Sequence, residues 1–420
     1  MPELPPFSLA FVDALVPDGA LATWVAVGAA GLGLAVAAAI TILRKYVRLT
    51  LGLVDRHVAG AAALSAERVV PESDAPMVVG EEVEFRAADG LPLAGTIFTP
   101  SGCSTIQSRS FAPSAGAGRE SARSFPESPR GLIVFAHEFG SGGGSALRYC
   151  RGLIEAGFEV FSFDFRGHGA SPTEPGYRPR PWLTDREHAD LLGAISFITA
   201  RLKAAGRPTE IGVFGLSRGA GAAISAAAEV PNVRVVIADS AFSSDTTIEY
   251  MMRRFATIFA GVRVVARNHP AVVWRVMRWM LFRAYRREFP CRFLSARQAV
   301  TRMGCRPILF IHGENDSYIP SWQAQSLYDA ARGPKDVWIA PGAKHNQAVD
   351  AHPREYARRI VHFVEEHLGR SPASIHRPVH ALTTMAELAR MKSRQFAAFT
   401  KSRASGASTG NAVGVGSRSH

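Results

Sequence analysis

Six short apolar runs, most of them separated by a helical pattern, constrain this chain more than any other feature of it. They are GLIVFAHE (131–138), FEVFSFDF (158–165), TEIGVFGL (209–216), VRVVIADS (233–240), RPILFIHG (306–313) and KDVWIAP (335–341). Each is continuous rather than alternating, as a strand buried on both faces must be. Helical patterns occupy 145–157, 185–204, 218–229, 322–332 and 353–368. Strand and helix in alternation build a parallel sheet with helices on both faces. Upstream, EEVEFRAADGLPLAGTIFTP (81–100) reads as two strands around an Asp89-Gly90 turn. The expected fold class is therefore α/β, a mostly parallel central sheet flanked by helices. No internal repeat is visible.

The flanks read differently. After a short N-terminal segment (1–18), Gly19 to Leu43 runs for 25 residues without a charge. At about 1.5 Å per residue such a helix crosses a hydrocarbon core of ~30 Å. Glu3, Asp13 and Asp18 precede it, and Arg44, Lys45 and Arg48 follow. The positive-inside bias then predicts a single-pass helix in the cell membrane, N-terminus outside and the rest in the cytoplasm. A buried Ala/Gly-rich helix and an uncleaved export signal are the alternatives. Residues 44–76 read as a helical connector, 101–129 as a floppy insertion, 241–304 as a helical excursion and 371–420 as a disordered tail. The formal net charge of +12 points to acidic partners, nucleic acid or an anionic membrane surface. Neither zinc-finger spacing nor an aromatic RNA-binding signature is present, so nucleic acid is not expected. Cys103, Cys150, Cys291 and Cys305 are scattered without a C-x-x-C pair, which fits a reducing compartment better than a disulfide framework.

The pattern G-x-S-x-G occurs twice, at Gly215–Gly219 and at Gly406–Gly410. Ser408 lies in a low-complexity tail with no strand before it. Ser217 follows a buried run and opens an Ala-rich helix, the setting of a nucleophile elbow. On this segment alone, nucleophile and helix cap are equal readings. A serine hydroxyl needs a base and a group that orients the base. Asp316 comes just past one apolar run and His345 just past the next, giving the order Ser…Asp…His. Asp239, at the end of an earlier run, is a second candidate acid.

AHEFGSGG (136–143), DFRGHGAS (164–171), GLSRG (215–219), ADSAFSS (238–244), HGENDSYIP (312–320) and GAKHN (342–346) together resemble the α/β-hydrolase superfamily. The resemblance is close to the branch of the serine aminopeptidases and monoacylglycerol-lipase-like enzymes. The resemblance spans about 75–370, with 77–370 as the catalytic domain and 241–304 as a helical cap. It implies Ser217 as nucleophile, His345 as general base and then acid, Asp316 as orienting carboxylate, and backbone N–H groups of Phe139 and Arg218 as the oxyanion hole. Where the family usually has Gly after the histidine, this chain has Glu138. That carboxylate is expected to point away from the oxyanion, towards Arg218 or Arg166. His168 is read as part of a structural turn, and the Gly-rich 140–145 as a flexible pocket edge. No cofactor or metal is expected.

Between Arg253 and Arg302 stand twelve arginines against Glu288, interleaved with Trp and Phe. This is either a surface for a membrane interface or a helical cap with packed aromatics and solvated arginines. The function expected is a membrane-anchored serine hydrolase that cleaves a carboxylic ester, thioester or amide of a small-molecule or lipid-like acyl substrate. Acyl transfer on the same residues, and a silent scaffold on the same fold, are the alternatives.

Overall fold

The computed structural model describes residues 26–31, 33–34, 37, 41, 44–45, 78–100, 128–259, 271–288 and 291–368. The chain divides into two compact units, one of Met1–Val58 with Ile248–Pro290, the other of Ala59–Thr247 with Cys291–His420. The second unit holds one eight-stranded sheet. Its strands are β1 (Val78–Arg86), β2 (Pro92–Pro100), β3 (Leu132–Ala136), β4 (Glu159–Phe163), β5 (Ile211–Leu216), β6 (Val233–Asp239), β7 (Ile308–Gly313) and β8 (Lys335–Ala340), in the order β1-β2-β4-β3-β5-β6-β7-β8. β2 pairs antiparallel with both β1 and β4, and every later pairing is parallel. Each of the six apolar runs contains one strand. The β1–β2 turn closes through Gly90, whose φ of +92° suits glycine and whose N–H donates to Ala87 O at 2.9 Å.

Burial on both faces explains the unbroken apolar runs. Leu132, Val134 and Ala136 of β3 belong to one core cluster, while Ile133 and Phe135 belong to the cluster on the other face. The first face is covered by α1 (Asp185–Ala204) and α2 (Arg218–Glu229). Helix α1 starts on a capping box, with Thr184 as N-cap and Glu187 reaching back to the Thr184 N–H. The 241–304 excursion is helical: α3 (Ser244–Phe259), α4 (Ala271–Glu288) and α5 (Ala296–Arg302). Ala296, Ala299 and Val300 of α5 join the core of the sheet unit. Two more helices, α6 (Trp322–Ala330) and α7 (Pro353–His367), flank β8 in sequence. The helix expected over 145–157 is split into Ala146–Tyr149 and Arg151–Glu155 by Cys150, which is fully buried at φ −98°, ψ 3°.

β2 ends beside the start of β4, with Phe98 opposite Val160, and β3 also begins there, with Leu132 opposite Glu159. The 101–127 link therefore leaves and rejoins the sheet at the end opposite the C-termini of the parallel strands.

The membrane-spanning helix expected over 19–43 finds no support among the described residues. The residues described within 19–43 are helical, and among the described residues no helix is long and apolar enough to cross a membrane. The rest of that span, together with 1–18, most of the connector and of the 101–129 insertion, and the 371–420 tail, lies outside the described residues.

Candidate active site

Ser217 stands between β5 and α2 with φ 53° and ψ −113°, a conformation that costs about 1–3 kcal/mol in a non-glycine residue. Such a turn leaves no room for side chains beside it. A Cβ on Gly215 would lie 2.2 Å from Gly219 O, and one on Gly219 would lie 2.1 Å from Ala136 O. The G-x-S-x-G glycines thus let the strand, the helix and the end of β3 close on one another. The Ser217 N–H donates to Asp239 O at 2.8 Å, and the side chain makes no cap hydrogen bond to α2. The helix-cap reading of Ser217 therefore fails.

Its hydroxyl instead meets a histidine. Ser217 Oγ is 2.9 Å from His345 Nε2, and His345 Nδ1 is 2.6 Å from Asp316 Oδ2. The other Asp316 oxygen accepts the backbone N–H groups of Tyr318 and Ile319, each at 2.9 Å. His312 adds a further contact, its Nε2–H donating to Ile319 O at 2.7 Å while lying 3.2 Å from Asp316 Oδ2. Burial alone would raise the Asp316 pKa. Attraction from His345 and hydrogen bonds from His312 and His345 outweigh it and hold the carboxyl well below the usual carboxylate range. His345 responds in the opposite sense. Burial lowers its pKa, but Asp316 foremost, then Asp239 and Glu138, bring it above the ordinary histidine value.

Asp239 is the acid that the geometry does not bring to the histidine. It is fully buried, accepts from Tyr356 OH at 2.8 Å and Ser240 Oγ at 2.9 Å, and burial raises its pKa.

The loop after β3 is fixed by His137, which is fully buried. Its Nε2 accepts the Phe165 N–H at 3.0 Å, so its proton sits on Nδ1 and is donated to Glu138 O at 2.6 Å. Burial first, then His168 and Arg218, depress its pKa and keep it neutral. Across the trans Glu138–Phe139 peptide, with the Glu138 carbonyl held, the Phe139 N–H points the other way. Arg218, as the first residue of α2, has a backbone N–H with no intrahelical acceptor. Its guanidinium is buried, lies over the rings of Phe139 and Phe165, and donates to Arg180 O at 2.9 Å.

Glu138 does not take the expected direction. Arg218 faces Glu187 at 3.5 Å, and Arg166 is held by Asp190 at 2.6 Å and Asp89 at 2.8 Å, so both cations already have carboxylates. The Glu138 carboxyl, in a residue only 4% exposed, lies 3.5 Å from Ser145 Oγ. Burial raises its pKa against the opposing pull of Arg148 and His345. The Gly-rich loop is tied rather than loose at Gly143, whose N–H donates to Asp164 at 2.6 Å. His168 is buried in its turn, its Nδ1 3.1 Å from Arg166 O, and burial followed by Arg218 pushes its pKa down to about 3. His137 and His312 are residues that sequence reasoning quoted in motifs but gave no role. Their signal is position, a histidine ending or nearly ending a buried apolar run. Among the described residues no group of three or more His, Cys, Asp or Glu is arranged to hold a metal ion.

A strained serine on a strand-to-helix turn, backed by a histidine and a carboxylate from later strands, can transfer an acyl group. Comparison with known proteins bears on the class. The family model described as serine aminopeptidase, S33, matches residues 127–351, more than half of the chain. The chain belongs to this family. The S33 serine aminopeptidases are α/β-hydrolases, and the chain is accordingly a serine hydrolase in class. Among curated relatives, the uncharacterized protein YfhR of Escherichia coli O157:H7 is 26% identical over 289 residues, covering 68% of this chain and 80% of that one. The uncharacterized protein YqkD of Bacillus subtilis is 24% identical over 252 residues, covering 57% and 73%. The lysophosphatidylserine lipase ABHD12 of Danio rerio is 25% identical over 217 residues, half of each chain. Among solved structures, the Pyrococcus furiosus esterase Pf2001 shares 20% identity at a TM-score of 0.47, covering 70% of this chain and 94% of that one.

Proposed function

We propose that this S33-family hydrolase cleaves a carboxylic ester through an acyl-enzyme on Ser217, with His345 as base and Asp316 as its orienting carboxylate. The observation that carries the reading is the continuous chain Ser217 Oγ, His345 Nε2, His345 Nδ1, Asp316 Oδ2, with its two short gaps of 2.9 and 2.6 Å. As Ser217 Oγ attacks the carbonyl carbon, its proton passes to His345 Nε2. The imidazolium is stabilised by Asp316, and the oxyanion is received by the N–H groups of Phe139 and Arg218. Collapse of the tetrahedral species returns the proton from Nε2 to the leaving alkoxide. Water then repeats the sequence on the acyl-enzyme and frees the acid. Thioesters and amides place the same demands on the site.

A lipid-like ester is the favoured substrate, supported by the half-length similarity to a lysophosphatidylserine lipase. The site is held to the cell membrane by 19–43, with the catalytic domain on the cytoplasmic side. Support for this comes from the 25 uncharged residues and from the basic flank at Arg44, Lys45 and Arg48.

A fluorescent fluorophosphonate, applied to wild type and to Ser217→Ala, tests the chemistry. Labelling of wild type alone is expected. Equal labelling of both, or of neither, would remove Ser217 from the role.

A further inference from the structure

Helix α4 has two faces with different occupations. Trp274, Met277, Leu281 and Tyr285 are buried, and their spacing puts them on one side of the helix. The other side carries Val272, Val276 and Trp279, which are 52%, 46% and 61% exposed. Further along the same side stand Arg283, Arg286 and Arg287, all exposed. At 3.6 residues per turn these six positions fall within an arc of about 100°. The exposed face is thus apolar in its first half and basic in its second. Single exposed apolar residues are ordinary, but three in register on a solvent face mark a contact surface. They are not needed for the helix's own packing, which the opposite face supplies.

The charge is also arranged for something outside the helix pair. Glu249 of α3 is taken up by Arg253 at 2.6 Å and Arg278 at 2.8 Å. Arg283 points along the exposed face, 5.8 Å from the centre of the Trp279 ring. Indole and guanidinium therefore present one amphipathic surface.

We propose that this face of α4 docks on an anionic lipid bilayer. Val272, Val276 and Trp279 enter the boundary between headgroups and acyl chains, and Arg283, Arg286 and Arg287 meet the lipid phosphates. A bilayer supplies both requirements at once, a shallow apolar layer and a dense sheet of anions. The twelve-to-one excess of arginine over glutamate between 253 and 302 complements such a surface. The inference rests neither on the chemistry of Ser217 nor on the 19–43 run.

The test uses the full chain with phosphatidylcholine vesicles, with or without phosphatidylglycerol, carrying bromine on the upper acyl chain. Subtracting the fluorescence of Trp279→Phe isolates Trp279 from the other tryptophans. Bromolipid is expected to quench the Trp279 component in anionic vesicles and not in neutral ones. Combining Arg283→Gln, Arg286→Gln and Arg287→Gln should lower the docking constant, read from the quenched fraction, by about a hundredfold. This corresponds to about fivefold for each arginine at an anionic surface. All three are exposed, so circular dichroism should stay that of wild type. Equal quenching in both kinds of vesicle would overturn the role of the arginines. Quenching in neither would overturn the bilayer and leave a protein as the occupant. A chain held to both vesicle types by 19–43 still reports the difference, because that tether is common to both arms.

Discussion

Asp316→Asn is the substitution that most sharply separates this site from its alternatives. It changes charge and donor pattern at almost constant volume. The two backbone N–H groups of Tyr318 and Ile319, each 2.9 Å from Oδ1, require an acceptor, so the amide oxygen stays with them. The amide nitrogen then takes the place of Oδ2, 2.6 Å from His345 Nδ1 and 3.2 Å from His312 Nε2. His312 Nε2–H already donates to Ile319 O, so a donor faces a donor. At His345 the amide donates to Nδ1 and drives the ring proton to Nε2, which now points a hydrogen at Ser217 Oγ. The base is lost, and the imidazolium of the transition state loses its counter-charge. A wrong tautomer of this kind costs about ten-thousand-fold in kcat, equivalent to ~5.4 kcal/mol. The buried mispairing at His312 costs a further ~1–3 kcal/mol of stability. Steady-state hydrolysis of a p-nitrophenyl ester measures the first, and thermal unfolding the second. Asp239→Asn is the control, since its partners are the Tyr356 and Ser240 hydroxyls, which can rotate to accept. Its kcat should stay near that of wild type. If Asp316→Asn kept more than about a hundredth of the activity, or Asp239→Asn lost more, the assigned acid would be wrong.

Two other outcomes are expected. His345 must be neutral to accept the serine proton, so activity falls as pH drops through its raised pKa, and Glu138 contributes to that raising. Glu138→Gln should therefore move the acid limb of the kcat/KM profile to lower pH; an unmoved limb would place Glu138 out of electrostatic reach of the histidine. If 19–43 spans the membrane, alkaline carbonate should leave the full-length protein in the pellet, and its release would end the membrane-spanning reading.

The parallel sheet was readable because β3, β4, β5 and β7, with most of β6 and β8, are buried on both faces, so each strand stood out as a largely apolar run. The ends of those strands were readable for the same reason, and with them the positions of Ser217, Asp316 and His345. Which acid faces the histidine was not settled by order alone. Asp239 also ends a strand, and only the Asp316 loop, with its paired N–H donors, turns a carboxylate to Nδ1. The direction of Glu138 was misjudged because sequence does not show which carboxylates Arg218 and Arg166 already face. In three dimensions Glu187, Asp190 and Asp89 had already claimed them. The break at Cys150 carried no glycine or proline to announce it.

The link between Pro100 and residue 128 leaves and rejoins the sheet at the end away from Ser217. Its two attachment points are therefore set apart from the serine, histidine and carboxylate. A change in the length of that link is felt first where β2 ends and β3 begins, at the end of the sheet remote from the reacting atoms. The two ends of the sheet can consequently evolve on separate schedules: one under the constraint of a reaction, the other under whatever neighbours the chain acquires.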